Sequence, residues 1–578
     1  MNLSSLRSLR PIEWLLAILL LLAPFYFHPN IGGTGLRIPN NIALWLVASL
    51  IGFYSLYKLV TNPFIYLPRH YLLLLLFPLL AFLSGVISGV EIASQWIFRI
   101  LFIAGGTLFF FSLFQYKLKQ GRLDRILFIV VISALLHSLA GIIQIIFLKD
   151  LPSWLPININ GVPTGFFQQI NNQASYQVTA IVAALWLSSR PIISKGASSR
   201  FAFILLAIFC SSFVISYSGS RVGALAFLLA VPLLLISRWH WIKLDIKRWG
   251  LILLVLLVSI TSASVIESDR GLTTALDKAT AMNAGFSGSA RLGIYDIAID
   301  VIKEKPLFGH GIGSFVRVWQ LGKPAFYADN PDAKLPGQRV SHPHNEVIFW
   351  LVEGGLIAGL GLFSVLVAIV LTLKNSPPSR RYAYLALLIP ITLHTQVELP
   401  FYSSANHWFV FLILLFVVSQ TKLRRYPIKL SAAALKLCRV LTLVGAVSSI
   451  SFLTHSLISN FEFKRYVMKQ VSVDEAPFPF AVKNLYFKDL ASNIMMLSLL
   501  QSSIEYGIDD NVHLFSEWAE IELNYNPHIL FYISIVQAHL YLKQQQQTCI
   551  FTKRGVSIYP DNDFLKQVSE KCTTAGLI

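Results

Sequence analysis

Charged side chains are scarce in this sequence. They make up 13% of 578 residues, against 55% hydrophobic, far too little polar surface to cover a soluble globule of that size. Acids are the rarer sign, 29 against 47 Lys and Arg, for a net charge of +18. Cysteine is rarer still: four in the whole chain exclude a framework built from disulfides. A Walker-type glycine loop is also missing, which excludes a nucleotide-triphosphatase phosphate cradle. No convincing DxD-type metal motif is present either.

Apolar helix is what the sequence has in quantity. Windows of about 20 apolar residues, the length that crosses a hydrocarbon core of roughly 30 Å, recur along most of the chain. The reading is an all-α polytopic membrane protein with about 13 transmembrane helices, centred near Leu19, Val47, Leu79, Ile103, Ile132, Val182, Ala207, Leu228, Leu256, Leu360, Leu388, Leu412 and Val444. The first, PIEWLLAILLLLAPFYF, lacks a small-residue cleavage site after it and reads as a retained anchor. Alternate loops are basic, at Lys117–Arg125, Arg190–Arg200, Arg238–Arg248, Lys374–Arg381 and Lys422–Arg425, and the loops between them hold almost no positive charge. The positive-inside rule makes the basic set cytoplasmic. With an odd number of spans, the polar stretch before Asn345 and the C-terminal tail then face the extracytoplasmic side. The basic excess sits in the membrane part and the tail is slightly acidic, so nucleic acid is not the expected partner. ATP and nucleotide-sugars are not normally available outside, so an enzyme there needs a substrate already activated and carried across.

The expected organisation is transmembrane helices over 1–266, a large outer loop over 267–344, further spans over 345–458 and a soluble helical domain over 459–578. In that tail, LFSEWAEIELN and ILFYISIVQAHLYLK carry the spacing of paired amphipathic helices. Cys549 and Cys572 lie there and can pair in an oxidising compartment; Cys210 and Cys438 lie in apolar helices and read as packing residues.

The candidate chemistry lies in a few polar segments. Arg221, in SYSGSRVGALAFLLA at the outer end of a span, runs against the positive-inside bias. Its guanidinium fork suits phosphate oxygens, and snorkelling to headgroups explains it equally. Arg291 is near the start of an expected helix, SARLGIYDIAIDVIKEK, capped by Ser287 or Ser289 and ended by PLFG. Its apolar positions Leu292, Ile294, Ile297, Ile299 and Val301 are too dense for a solvated helix, so it is expected to lie on the membrane surface. A solvated surface role for Arg291 stays open. The glycines of GHGIGSF let backbone amides approach a ligand, or simply return the loop to the membrane. In SHPHN, His342 and His344 stand beside Asn345, offering a proton acceptor or a hydrogen bond to a sugar hydroxyl. A metal reading is poor, because i, i+2 histidines flanking a proline are not a helical ligand pair and no cysteine or carboxylate cluster completes them. Glu353 is a carboxylate within a span, a costly placement that asks for a role. His394 and Glu398, at i, i+4, precede Tyr402 in HTQVELPFYSSANHW. Gln168, Gln169, Asn171, Asn172 and Gln173 accompany aromatics in VPTGFFQQINNQASY, a composition that suits sugar recognition or a polar helix start.

SGSRVGALA, SARLGIYDIAIDVIKEKPLFGHGIGSF and HPHNEVIFWLVEGGLIAGLGLF together resemble the O-antigen ligase and polymerase superfamily, over most of residues 160–420. GFFQQINNQASY, VELPFY and the soluble tail look most like the PglL-type bacterial protein O-oligosaccharyltransferases. The resemblance implies a GT-C-like ligase fold in the bacterial inner membrane. It implies that a glycan carried on undecaprenyl pyrophosphate is moved, at the periplasmic face, to a serine or threonine of an acceptor protein such as a pilin. Arg221 and Arg291 match the arginines that grip the pyrophosphate, and His344 matches the family's HN histidine. His342 has no secure counterpart. QVELPFY departs from an EYP-like form, which leaves open the roles of Glu398, the second candidate for the base after His344, and of Tyr402. Gln169, Asn171, Asn172, His342, Asn345 and Tyr402 are expected to contact donor or glycan, with Glu353 and His394 in support and neither metal nor cofactor. A ligase to lipid A core, a polymerase, a lipid-linked glycan transporter and a membrane scaffold are the competing readings; a transporter should show internal halves, and none is seen.

Overall fold

In the computed structural model, residues 10–60, 62–148, 150–157, 161–266, 286–333, 335, 340–469 and 477–577 are described. The stretch 267–285, where the outer loop was expected to begin, lies outside them. The long helices open with α1 (Pro11–Leu21), α2 (Pro39–Leu59), α3 (Tyr71–Ile87), α4 (Ala93–Phe114) and α5 (Gln120–Phe147). Next come α6 (Ile170–Ser188), α7 (Ser198–Ser218), α8 (Arg221–Leu244), α9 (Ile246–Ile266), α10 (Phe286–Glu304) and α11 (Phe315–Asp329). After them run α12 (Glu346–Lys374), α13 (Pro378–His394), α14 (Ala405–Val418) and α15 (Ala432–Val467). The tail holds α16 (Lys488–Tyr506), α17 (Asp509–Tyr525), α18 (Ile529–Tyr541), α19 (Gln545–Ile558) and α20 (Asp563–Thr574).

Among the described residues, eight helices are long and apolar enough to cross a membrane: α2, α4, α5, α7, α8, α9, α12 and α15. Eight of the thirteen expected centres fall in them. The centres at Leu19, Leu79 and Leu412 fall in shorter apolar helices. Those at Val182 and Leu388 fall in α6 and α13, where the polar starts INNQASYQ and PSRRY dilute the apolar run. The architecture is that of a polytopic, all-α membrane protein; length and composition identify eight crossings among the described residues, and the count of thirteen stands as an expectation.

The chain forms two compact units. The first comprises Met1–Leu76, Phe102–Ala281 and Ser364–Asn460. In it α6 is the central post, buried along nearly its whole length and packed by α5, α7, α8 and α13. A short antiparallel pair, β1 (Phe64–Leu67) and β2 (Arg424–Pro427), sets Phe64 opposite Pro427 and Leu67 opposite Arg424.

The second unit comprises Phe77–Leu101, Met282–Phe363 and Phe461–Ile578. Here α10 starts at Phe286, so Ser287 and Ser289 stand inside the helix rather than at its cap; their side chains lie outside the described residues. The apolar face expected to rest on the membrane is instead taken by α11. Ile294, Ile297, Ala298 and Val301 are buried, and Trp319 Nε1 donates to the Ile294 carbonyl at 3.2 Å. Only Leu292 and Ile299 remain exposed. The tail helices close on a core that includes Phe515, Tyr532, Ile535 and Leu565, and a disulfide joins Cys549 to Cys572. Cys210 and Cys438 are unpaired thiols.

Lys323 of α11 is fully buried. Its ammonium lies 4.8 Å from the centre of the Tyr559 ring and helps line a cavity of about 110 Å³ with Tyr327 and Asp561. Burial pushes the ammonium down from 10.5 to about 8, with the Asp561 charge opposing. Between pH 8 and 10.5 the unfolded chain therefore binds more protons than the folded one, and stability rises with pH through that window. Below about pH 8 both states hold the proton and the burial penalty is constant. Thermal melts are expected to show this rise, worth up to about 3 kcal/mol, and Lys323→Met should abolish the slope.

Candidate active site

The expected site residues fall in both units. In the second, the chain arrives at α12 through Ser341–Asn345. Pro343 fixes its own backbone and biases His342 towards an extended form. His344 then takes φ +55°, a left-handed conformation uncommon for a non-glycine residue. Its amide donates to His342 Nδ1 at 3.2 Å, and the two rings meet edge to face at 4.5 Å. Asn345 is the N-cap of α12: its side-chain oxygen accepts from the Val347 and Ile348 amides at 2.9 and 3.0 Å. That satisfies two of the helix's orphan donors. His342 and His344 are half-buried, open enough to meet a substrate and held by a fixed turn.

Two turns on, Glu353 is 1% exposed and pairs with Arg99 of α4 at 3.0 Å. The Arg99 guanidinium also lies over the Phe349 ring at 4.7 Å. Beyond Glu353 the helix breaks at Gly355, whose φ is +61°, and the GHGIG loop fills the break. His310 and Gly311 donate to the Val352 and Glu353 carbonyls, both at 2.9 Å, and the Leu356 and Ile357 amides return bonds to Pro306 and Leu307 at 2.8 and 3.1 Å. Ser84 Oγ serves the Phe308 and Gly354 carbonyls at 2.9 and 2.7 Å. A Cβ on Gly309 would stand 2.5 Å from the Glu353 carbonyl carbon. These glycines are thus spent on packing the loop against helix backbone, and the break's polar groups are satisfied internally, as depth in a membrane requires. Arg291, half-buried, stands near the start of α10.

In the first unit, Arg221 is the first residue of α8, and Ser220 caps it by accepting from the Gly223 amide at 3.2 Å. Ser220 Oγ in turn donates to Asn171 at 2.8 Å, which ties the start of α6 to Arg221. A guanidinium on a helix N-terminus joins a full charge to the positive end of the helix dipole. Asn172 donates to Ser403 at 2.9 Å, one residue from Tyr402. Gln169, Asn171, Glu398 and Tyr402 are half-buried, and Asn172 is fully buried.

Beneath them lies a network that sequence reading had only in part. Ser175 Oγ is 2.8 Å from His394 Nδ1 and 3.1 Å from His407 Nε2; His407 Nδ1 reaches Ser404 Oγ at 2.9 Å. His137 stacks on Phe167 at 4.3 Å. All three histidines are fully buried. The Glu398 amide closes a turn on the His394 carbonyl at 3.0 Å, so the network anchors the segment carrying Glu398 and Tyr402. His137, Ser175 and His407 were not expected. A histidine or serine inside a predicted span was the available signal, as was Arg99 in ASQWIFRILFIAGG for the partner of Glu353.

Residues 205–363 match the family described as O-Antigen ligase, a range that takes in Arg221, Arg291, His342, His344, Asn345 and Glu353. Residues 382–572 match the family described as virulence factor membrane-bound polymerase, C-terminal, which takes in His394, Glu398, Tyr402 and both disulfide cysteines. No curated protein matches the chain.

Proposed function

We infer from the two family matches that the chain is a member of the O-antigen ligase superfamily, and from that premise propose a protein O-oligosaccharyltransferase. It moves a preassembled glycan from undecaprenyl pyrophosphate to a serine or threonine of a periplasmic or pilin-like protein, at the outer face of a bacterial inner membrane. The observation that carries this reading is His344, held in a left-handed turn immediately before the cap of α12. Backbone conformations of that cost persist at sites where a side chain must be aimed.

In the proposed reaction the acceptor hydroxyl oxygen attacks the anomeric carbon of the glycan. His344 takes the hydroxyl proton, the bond from that carbon to the phosphate oxygen breaks, and undecaprenyl pyrophosphate leaves with the electron pair. Glu398 is the second candidate for the base. Pyrophosphate is a good leaving group, so its developing charge needs stabilising more than it needs a proton. Arg221 and Arg291 supply guanidiniums for that charge, and Arg221 adds the N-terminus of α8. Gln169, Asn171, Asn172, His342, Asn345 and Tyr402 are assigned to donor and glycan contacts, with Glu353 and His394 supporting them. The domain layout proposed with this function keeps 267–344 as the catalytic loop and 459–578 as a periplasmic helical domain.

The match over 382–572 favours a second reading, a polymerase that joins repeat units. Incubating the purified protein with lipid-linked glycan alone separates the two: a polymerase lengthens the lipid-linked chain, whereas the transferase leaves its mass unchanged. Transfer is expected to survive EDTA; activity lost to EDTA and regained only with a divalent cation would contradict metal independence.

A further inference from the structure

We propose that Arg190, Arg238 and Arg380 form a binding site for a phosphate group of an anionic lipid, at the end of the first unit that carries the basic loops. The inference does not depend on the reaction proposed above. Arg238 lies 17 residues after Arg221 on α8, about 26 Å away at the rise of an α-helix, which is close to the thickness of a hydrocarbon core. It is 3% exposed, the mark of a guanidinium held in the fold rather than reaching into solvent.

Three guanidiniums and one carboxylate meet here. Arg238 and Arg190 both lie over the buried ring of Trp186, at 4.6 and 5.4 Å. Arg190 Nε bonds both oxygens of Asp124, at 3.1 and 3.2 Å. Arg380, near the start of α13, donates to Gln120 at 3.0 Å and acts electrostatically on Arg238, as Arg190 does. Arg238 itself donates to Ser237 Oγ and to the Ser379 carbonyl. Arginine keeps its charge in proteins, so the cluster holds two positive charges beyond what Asp124 neutralises.

Its donors are also in excess. Each guanidinium offers five N–H groups, yet among the described residues Arg190 and Arg380 use one nitrogen each for side-chain partners. Arg238 Nε and Trp186 Nε1 are buried with no acceptor among the described residues. Unmet buried donors are costly, and a tetrahedral phosphate supplies both the charge and the acceptor oxygens that are lacking. The lipid source is favoured by the flank of α8: Ile236, Trp239 and Trp241 are 61%, 58% and 43% exposed. Exposed indoles beside basic residues at the end of a span mark headgroup depth.

The test uses full-length protein, delipidated in neutral detergent and titrated with phosphatidylglycerol, phosphatidylcholine or inorganic phosphate, read by native mass spectrometry and thermal melting. Phosphatidylglycerol is expected to give discrete adducts and a higher Tm, and phosphatidylcholine neither. Arg380→Gln, at a half-buried position that need not disturb the fold, should weaken the adducts about tenfold, and Arg238→Gln further, while Lys195→Gln, in an exposed part of the same basic face, should not. Protection by inorganic phosphate equal to that of the lipid would keep the phosphate site and overturn the lipid source. Equal losses in Lys195→Gln and Arg380→Gln, or equal binding of phosphatidylcholine, would overturn the site.

Discussion

His344→Ala is expected to leave the protein inserted and folded, with an unchanged melting temperature to within a few degrees, while slowing glycan transfer by about 10²–10⁴-fold, the usual cost of losing a positioned acid or base. His344 is half-buried and sits before the cap of α12 rather than in a packed core, so its removal opens no large cavity. Its φ of +55° introduces a second variable, because alanine tolerates that conformation poorly. His344→Asn controls for it: asparagine is among the residues enriched there but cannot serve as a base. Both variants should be equally slow. An active His344→Asn enzyme would show that the turn, and not the imidazole, is what the site needs.

Arg99→Ala should cost the fold about 3–5 kcal/mol, because it leaves the Glu353 carboxylate buried without its charge partner. The loss should be felt at the GHGIG loop, since the Glu353 carbonyl holds the Gly311 amide and its carboxylate receives the Phe315 amide at 3.4 Å. Hydrogen exchange at the amides of His310, Gly311, Leu356 and Ile357 is the measurement, alongside the melting temperature. The double replacement Arg99→Met, Glu353→Gln removes both charges and should recover most of the stability. Unaltered exchange in Arg99→Ala would mean that loop packing, rather than the ion pair, holds the broken helix together.

Hydropathy made the membrane architecture legible wherever a helix contains a long, strongly apolar window, as α5 and α12 do despite their few charged residues. It is least informative at α6 and α13, whose apolar runs are diluted by polar starts, buried among helices in α6 (Asn172, Gln173, Ser175) and largely exposed in α13 (Pro378, Ser379, Tyr382). The Cys549–Cys572 pair and the HPHN turn were visible as motifs. The use of the GHGIG glycines was not, because a loop that packs into a helix break has the same composition as one that wraps a ligand. The same limit hid the partners of His394. His394 and His407 lie 219 and 232 residues from Ser175, the group that both meet, and no local period records a contact of that range. Asn345 and Asn172, expected at the glycan, have side chains engaged at a helix cap and at Ser403 respectively; their part in donor binding stands as a proposal beside those structural bonds.

The proposed transfer is tested most directly by the mass of the acceptor. The protein is reconstituted with undecaprenyl-pyrophosphate glycan, a pilin-like acceptor and lipid A core, with His344→Ala run in parallel. The account predicts an acceptor heavier by one glycan on a serine or threonine, in the wild type and not in the variant. An acceptor of unchanged mass, with the glycan found instead on lipid A core or on a lengthened lipid-linked chain, would contradict it.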